Sequence, residues 1–304
     1  MKRNSFRRFS AALTAAMFCV PVFSGCGTSE SLSSEEVPYD VSSIAKDESI
    51  ASVLPKSIAE SGKLKIGLEP GFAPAEFIGS DGRTIVGYEV DFANAIAAVL
   101  GVEAVFVPSS FDSIIPAIGT KFDIGFSGFT VTEERMESVD FVSYYRSGSI
   151  FVSKRDSLKN IDTDSLCGLK IGVQTGTTHE ELVNDLSDEC QASGQKKIDV
   201  ISLKSMGEVS TAVVTGKADL LYSDLPVALY AVSKTSGQLQ QVRQTSDTAK
   251  NAIAIKKGDS QTAQAMQKAM QKLMDDGTYG RILKKWSVNE GALSEAEINP
   301  EDIT

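Results

Sequence analysis

The chain alternates short apolar runs with longer stretches in which apolar residues recur every three to four positions. The runs lie at residues 64–68, 104–107, 122–126, 170–173, 199–201, 218–222 and 252–255, and each has the length of a strand buried on both faces. Between them, Phe92, Ile96 and Val99 share one stripe of a helix predicted over about residues 90–100, with Gly101 placed to end it. Ala263, Met266, Met270 and Leu273 repeat that spacing, and a methionine stripe of this kind belongs to a core, where flexible thioethers fill gaps. Single strands alternating with single helices predict an α/β fold whose largely parallel sheets are covered on both faces. The order strand, helix, strand, helix, strand, helix occurs twice, over about residues 64–137 and 170–234. Two similar lobes are expected.

The two ends of the chain break this pattern. Residues 1–25 carry Lys2, Arg3, Arg7 and Arg8 and no acid, followed by an apolar run over residues 11–20 that Pro21 interrupts. This is the pattern of an export signal, too short for a permanent span of about 20 residues. Residues 27–50 hold seven serines, six acids, one lysine and one aromatic residue, a composition expected to stay disordered because it buries too little to offset chain entropy. Residues 26–50 therefore read as a tether with a reach of about 25 to 30 Å. Residues 289–304 hold five acids and no base and read as a solvated acidic tail.

The whole chain has 304 residues, 42% of them apolar, enough for about two domains. With 40 acids against 30 bases the net charge is −10, which repels phosphate backbones, so no nucleic acid is expected as a partner. The single histidine, His179, removes the commonest general base, His-rich zinc sites and the Ser-His-Asp triad. No metal and no cofactor are expected, and His179 itself is read as a solvent-facing residue in the first turn of a helix.

In parallel α/β sheets ligands sit beyond the carboxyl ends of the strands. The first strand is followed by Glu69 and Phe72, the third by Ser127, Gly128, Thr130 and Arg135, the fourth by Gly176, Thr177 and Thr178, and the sixth by Asp224. Together they offer a guanidinium, carboxylates, hydroxyls, free backbone amides and an aromatic face. A zwitterion with an aliphatic side chain needs this set. Residues 144–148 and 244–251 link the two repeats, and two such crossings make a hinge.

Several segments carry a specific resemblance: Ser61-Gly62-Lys63-Leu64-Lys65-Ile66-Gly67, Gly87-Tyr88-Glu89-Val90-Asp91-Phe92-Ala93, Phe111-Asp112-Ser113-Ile114-Ile115-Pro116-Ala117, Gly128-Phe129-Thr130-Val131-Thr132-Glu133-Glu134-Arg135, Gly172-Val173-Gln174-Thr175-Gly176-Thr177-Thr178 and Asp276-Gly277-Thr278-Tyr279 with Lys285-Trp286. In this order, over about residues 57–286, they resemble the family 3 extracellular solute-binding proteins, the amino-acid receptors of ABC importers. The resemblance implies a two-lobed periplasmic-binding-protein fold with two largely parallel sheets and a two-segment hinge. Residues 51–146 and 250–288 would form lobe 1 and residues 149–247 lobe 2. It also implies a non-enzymatic, monomeric protein whose partners are a free amino acid and a membrane permease.

By the same resemblance Arg135 would hold the ligand carboxylate, a task suited to its planar fork. Asp224 would pair with the ammonium, aided by Ser127, the Gly128 carbonyl and Thr130, although an aspartate before Leu225-Pro226 also reads as a helix cap. Thr177 and Thr178 would open a helix whose free amides draw the carboxylate from the other lobe, with Thr178 and Glu181 spaced as a capping box. Phe72 and Phe111 would sandwich the ligand side chain, or else fill the core. Glu69 is then an unmatched negative charge beside that side chain, which favours a cationic or amide amino acid. Dehydratases of the cyclohexadienyl kind share the fold, and there Glu69 would serve as acid or base; this is the alternative function.

Phe23-Ser24-Gly25-Cys26 resembles the lipobox of bacterial lipoproteins, with Phe23 where leucine is usual. Lipidation of Cys26 would anchor the exported chain at the outer face of the membrane, the alternative being an ordinary signal peptide. Cys167 and Cys190 bracket a predicted strand that climbs about 20 Å and a helix that descends about 18 Å. The two thiols thus come close, either as a disulfide or as buried free thiols.

Overall fold

The computed structural model describes residues 32–160 and 165–302. The export leader and Cys26 lie outside the described residues. Lobe 1 opens with two short helices, α1 (Glu48–Ala51) and α2 (Lys56–Ser61), then β1 (Lys63–Leu68) and the small antiparallel sheet of β2 (Gly71–Phe72), β3 (Glu76–Ile78) and β4 (Ile85–Val86). It continues with α3 (Tyr88–Leu100), β5 (Glu103–Pro108), α4 (Phe111–Ala117), β6 (Ile124–Thr130), α5 (Glu133–Ser138) and the long β7 (Val139–Lys154). Lobe 2 follows as β8 (Lys170–Gln174), α6 (Thr178–Ala192), β9 (Asp199–Leu203), α7 (Met206–Val214), β10 (Leu220–Asp224) and α8 (Leu225–Lys234). The equally long β11 (Leu239–Lys256) returns the chain to lobe 1, which α9 (Ser260–Asp275) and α10 (Thr278–Lys285) complete.

The main sheet has the order β5-β1-β6-β11-β7-β10-β8-β9. The pairs β5–β1, β1–β6, β10–β8 and β8–β9 are parallel, whereas β11 pairs antiparallel with β6 and β7, and β7 with β10. The sheets of the two lobes, expected to be separate, form one hydrogen-bonded ladder because both hinge segments are strands running through both lobes. Their register shifts between Gln244 and Thr248 and again between Asn251 and Ala252, where the chain passes from lobe to lobe.

Helix α3 buries Phe92, Ile96 and Val99 and ends at Gly101 in the left-handed region (φ 68°). Methionines 266 and 270 are fully buried in the same core. In lobe 2, Cys167 and Cys190 form a disulfide with Cα atoms 5.6 Å apart. It ties the approach to β8 to the last turn of α6, and closing a loop of this size stabilises the lobe by about 2 to 4 kcal/mol.

The segment expected to be a disordered tether and the tail expected to be solvated are both docked on the fold. Residues 33–50 lie on lobe 1 as a strap: Tyr39 N donates to Asp91 Oδ1 (2.9 Å), Ser80 N donates to Glu36 (3.0 Å), and Asp47 caps α1. Tyr39, Val41 and Ile44 pack on the core, so three well-spaced apolar residues and matched polar partners outweigh the polar composition. The acidic tail is likewise docked. Ser143 N donates to Glu297 O and Asn299 N to Phe141 O, and Ala296 is buried. Among the described residues no helix is long and apolar enough to cross a membrane.

Candidate functional site

Strands β1 and β6 of lobe 1 and β8 and β10 of lobe 2 point their carboxyl ends at one cleft. Phe72, Phe111, Gly128, Thr130 and Arg135 line it from lobe 1, and Thr177, Thr178, His179 and Asp224 from lobe 2. The cavity between them is about 10 Å³, room for a single water. The lobes are closed on each other.

Arg135 sits in the first turn of α5, where Thr132 caps the helix by accepting from Arg135 N (3.1 Å). Its guanidinium lies 5.6 Å from the centre of the Phe111 ring. Nη1 donates to Thr130 O (2.9 Å), and Nη2 reaches across the cleft to Gly176 O (3.2 Å). Two backbone carbonyls satisfy part of the fork and hold it aimed at the cavity. Its desolvation lowers the arginine pKa from its usual value, which leaves the group charged all the same.

Asp224 occupies the capping position of α8 but makes no capping hydrogen bond. Its carboxylate lines the cleft and is not spent on the helix end. Burial pushes its pKa up to about 7, against the opposing pull of a Ser147 hydrogen bond and the Arg135 charge. The helix cap of α6 is Thr177, which accepts from Glu180 N (3.2 Å), one residue earlier than the spacing suggested. Thr178 is released from capping, and its hydroxyl stands 3.4 Å from that of Thr130 on the opposite lobe.

Gly128 shapes the floor. Its φ is 57°, and a Cβ there would stand 2.9 Å from the Phe72 ring, so conformation and space both call for glycine. Its N–H donates to Glu89 and its carbonyl accepts from Asn251 Nδ2 (3.0 Å).

Two expected ligand contacts lie elsewhere. Ser127 is behind the wall, its hydroxyl donating to Glu76 Oε1 (2.6 Å) and accepting from Glu69 N (3.0 Å), so it has no free donor. Glu69 is outside the nine-residue lining and buried at the seam between lobes, where Gln174 Nε2 donates to its Oε2 (2.9 Å). Burial raises its pKa to about 7, with the Gln174 hydrogen bond opposing. In this closed cleft Gln174, from the other lobe, takes up the carboxylate.

Other groups were not singled out in the sequence. His179 is buried, not solvent-facing; its Nε2 is 2.9 Å from Ser149 Oγ, and burial followed by the Arg135 charge lowers its pKa to about 4. It is a neutral imidazole in the pocket wall. Gln174, the last residue of β8, has a buried amide oxygen with no partner among the described residues. Glu76 and Glu89 are buried beneath Gly128 and Ser127; burial, then the charge of Glu89, pushes Glu76 well above the usual carboxyl range. Glu89 accepts instead from Tyr144 OH (2.5 Å) and Gly128 N. A signal existed for it, since Glu89 falls on the same helical stripe as Phe92 and Ile96.

Residues 64–289 match the family described as bacterial extracellular solute-binding proteins, family 3. The arginine-binding protein ArgT of Corynebacterium glutamicum is 35% identical over 257 residues, 84% of this chain and 84% of that one. Among solved structures, an ancestral arginine-binding protein bound to arginine has a TM-score of 0.67 at 34% identity, covering 74% of this chain and 98% of the other. An ancestral amino-acid-binding protein described as a precursor of cyclohexadienyl dehydratase gives 0.68 at 32%, covering 76% and 97%. Because the match runs through both lobes and both hinge strands in sequence order, the chain belongs to the bacterial extracellular solute-binding proteins of family 3.

Proposed function

We propose that the chain is an extracytoplasmic amino-acid receptor that closes its lobes on a cationic or amide amino acid and delivers it to the permease of an ABC importer. The observation that carries this reading is the convergence of Arg135 from lobe 1 and Asp224 from lobe 2 on one pocket. Opposite charges on opposite lobes suit the carboxylate and ammonium of one zwitterion, whose arrival neutralises both. The start of α6 adds free amides on the carboxylate side. Nothing in this scheme requires turnover, and the protein acts as a binder.

For the side chain, Glu69 and Gln174 offer acceptor oxygens at the seam beside Phe72. A guanidinium or ammonium would keep Glu69 ionised when buried, and an amide would donate to it. Glutamate would bring a second carboxylate to the same place. Arginine comes first because the relatives named above are described as arginine-binding. In competition calorimetry the wild type is expected to rank arginine above glutamine and glutamine above glutamate. Glu69→Gln should weaken arginine about 10- to 100-fold, as loss of a buried ion pair does, and leave glutamine within a few-fold. A wild-type preference for glutamate, or an unchanged ranking in the variant, would refute the selectivity.

Cys26 is the anchor in this reading, carrying the lipid after cleavage of the leader. Cys26→Ser should shift the protein from the membrane to the soluble fraction, because among the described residues no helix is long and apolar enough to cross a membrane and the lipid would carry the attachment. Equal retention of the variant would dismiss the lipoprotein assignment.

A further inference from the structure

Where β7 and β11 pass between the lobes, Arg146 stands directly opposite Lys250. Like charges in opposed positions destabilise a strand pair, and Lys250 is only 4% exposed, so its charge needs a partner. The acidic tail supplies it. Asp302 divides its carboxylate between them, Oδ2 accepting from Arg146 Nη2 (2.7 Å) and Oδ1 from Lys250 Nζ, while Glu297 Oε2 also accepts from Lys250 Nζ. Burial opposes the charge on Lys250, yet these hydrogen bonds hold its pKa above the usual lysine value. Phe141 N donates to Asn299 Oδ1 (2.8 Å), so the tail is fixed to β7 before it reaches the crossing.

Both cations adjoin the pocket walls. The Lys250 carbonyl accepts from Val131 N (2.9 Å), and the next residue, Asn251, holds the Gly128 carbonyl. On the other strand Ser147, next to Arg146, hydrogen-bonds the Asp224 carboxylate. The tail extends past the stretch that matches the family, which stops at residue 289.

We propose that residues 290–302 form a clasp on the interlobe crossing, in which Asp302 neutralises Arg146 and Lys250 together and holds the hinge strands in the register of the closed cleft. Asp302 is thus a positioning residue that touches no ligand. Without it the cations repel across the hinge, the crossing loosens and a captured amino acid leaves sooner. The kinetic consequence rests on the amino-acid reading above; the clasp does not.

The test compares the full chain with Asp302→Asn and with Asp302→Asn/Glu297→Gln. X-ray scattering of the ligand-free protein near pH 5, where the wild-type cleft is closed, should show a larger radius of gyration in the double variant. Stopped-flow dissociation of L-arginine should be about tenfold faster, with association unchanged within twofold, and Asp302→Glu should restore the wild-type rate. In an Arg146→Gln background, where one cation is gone, Asp302→Asn should change dissociation less than threefold. Wild-type scattering and dissociation in cooperatively melting variants overturn the clasp; if the double variant does not fold, the single substitution decides in the same way. Should the wild type bind no amino acid, the capture reading fails and scattering alone decides the clasp.

Discussion

Arg135→Ala is expected to cut the affinity for L-arginine at least about a thousandfold, equivalent to about 4 kcal/mol. The loss is that large because a ligand carboxylate enclosed by the lobes would keep its charge and lose its only guanidinium partner. The fold should survive. Arg135 is half-buried and its own hydrogen bonds go to two backbone carbonyls, one of them across the cleft, so its removal strips little from either core. Arg135→Lys should recover only part of the affinity, since an ammonium cannot make two parallel bonds while stacked on Phe111. Calorimetry at constant ionic strength, paired with thermal melting, checks both statements. Wild-type affinity in a folded Arg135→Ala protein would remove this residue from the site.

The second large effect concerns closure without ligand. In the closed cleft the carboxyls of Glu69 and Asp224 are both raised to about 7, chiefly by burial. When the lobes part they face water and return towards ordinary values near 4. Closing above pH 7 therefore means burying two charges or taking up two protons, which disfavours the closed empty form by several kcal/mol. The sign follows from the raised values: the penalty is full above about pH 7 and fades as pH falls towards 4. His179, lowered to about 4, stays neutral over this window and Arg135 stays charged. The ligand-free protein should thus be expanded at pH 8.5 and compact near pH 5, a population shift of a hundredfold or more. With saturating L-arginine it should be compact throughout, because the ligand's cations take over the role of the protons. Scattering curves that do not change with pH in the ligand-free protein would show that these two groups do not govern closure.

Much of this arrangement was readable from pattern alone, for a definite reason. Strands β6, β8 and β10 are buried on both faces and announce themselves as apolar runs, and chemistry-bearing residues at their ends then fall on one side of the sheet. Arg135, Asp224, Thr177 and Thr178 were accessible by that route. Strand β7 was not. Its middle, Tyr144-Tyr145-Arg146-Ser147-Gly148, has the polarity of a linker because it crosses between lobes, yet the ladder to β11 continues through it. The strap and the tail were misread because composition averages over a segment, whereas docking depends on a few residues such as Tyr39, Val41 and Ala296. Glu69 does follow the end of β1, whereas Ser127 lies inside β6, which runs on to Thr130; which way each side chain turns is decided by partners from distant segments, Glu76 for Ser127 and Gln174 for Glu69.

The docked strap also alters the mechanics of anchoring. Were residues 27–50 a free coil, the receptor would drift some tens of ångströms above the membrane, sampling a deep shell. Ser33 is tied to Ser80, its N–H donating to the hydroxyl at 3.0 Å, so under the proposed lipidation of Cys26 only about seven residues of chain would separate the anchor from the folded body. Seven residues reach about 25 Å at most. If the proposed function holds, a loaded receptor kept this close to the bilayer would meet a neighbouring permease by lateral motion in two dimensions, and delivery would be governed by how densely the two are distributed in the bilayer rather than by strong affinity between them.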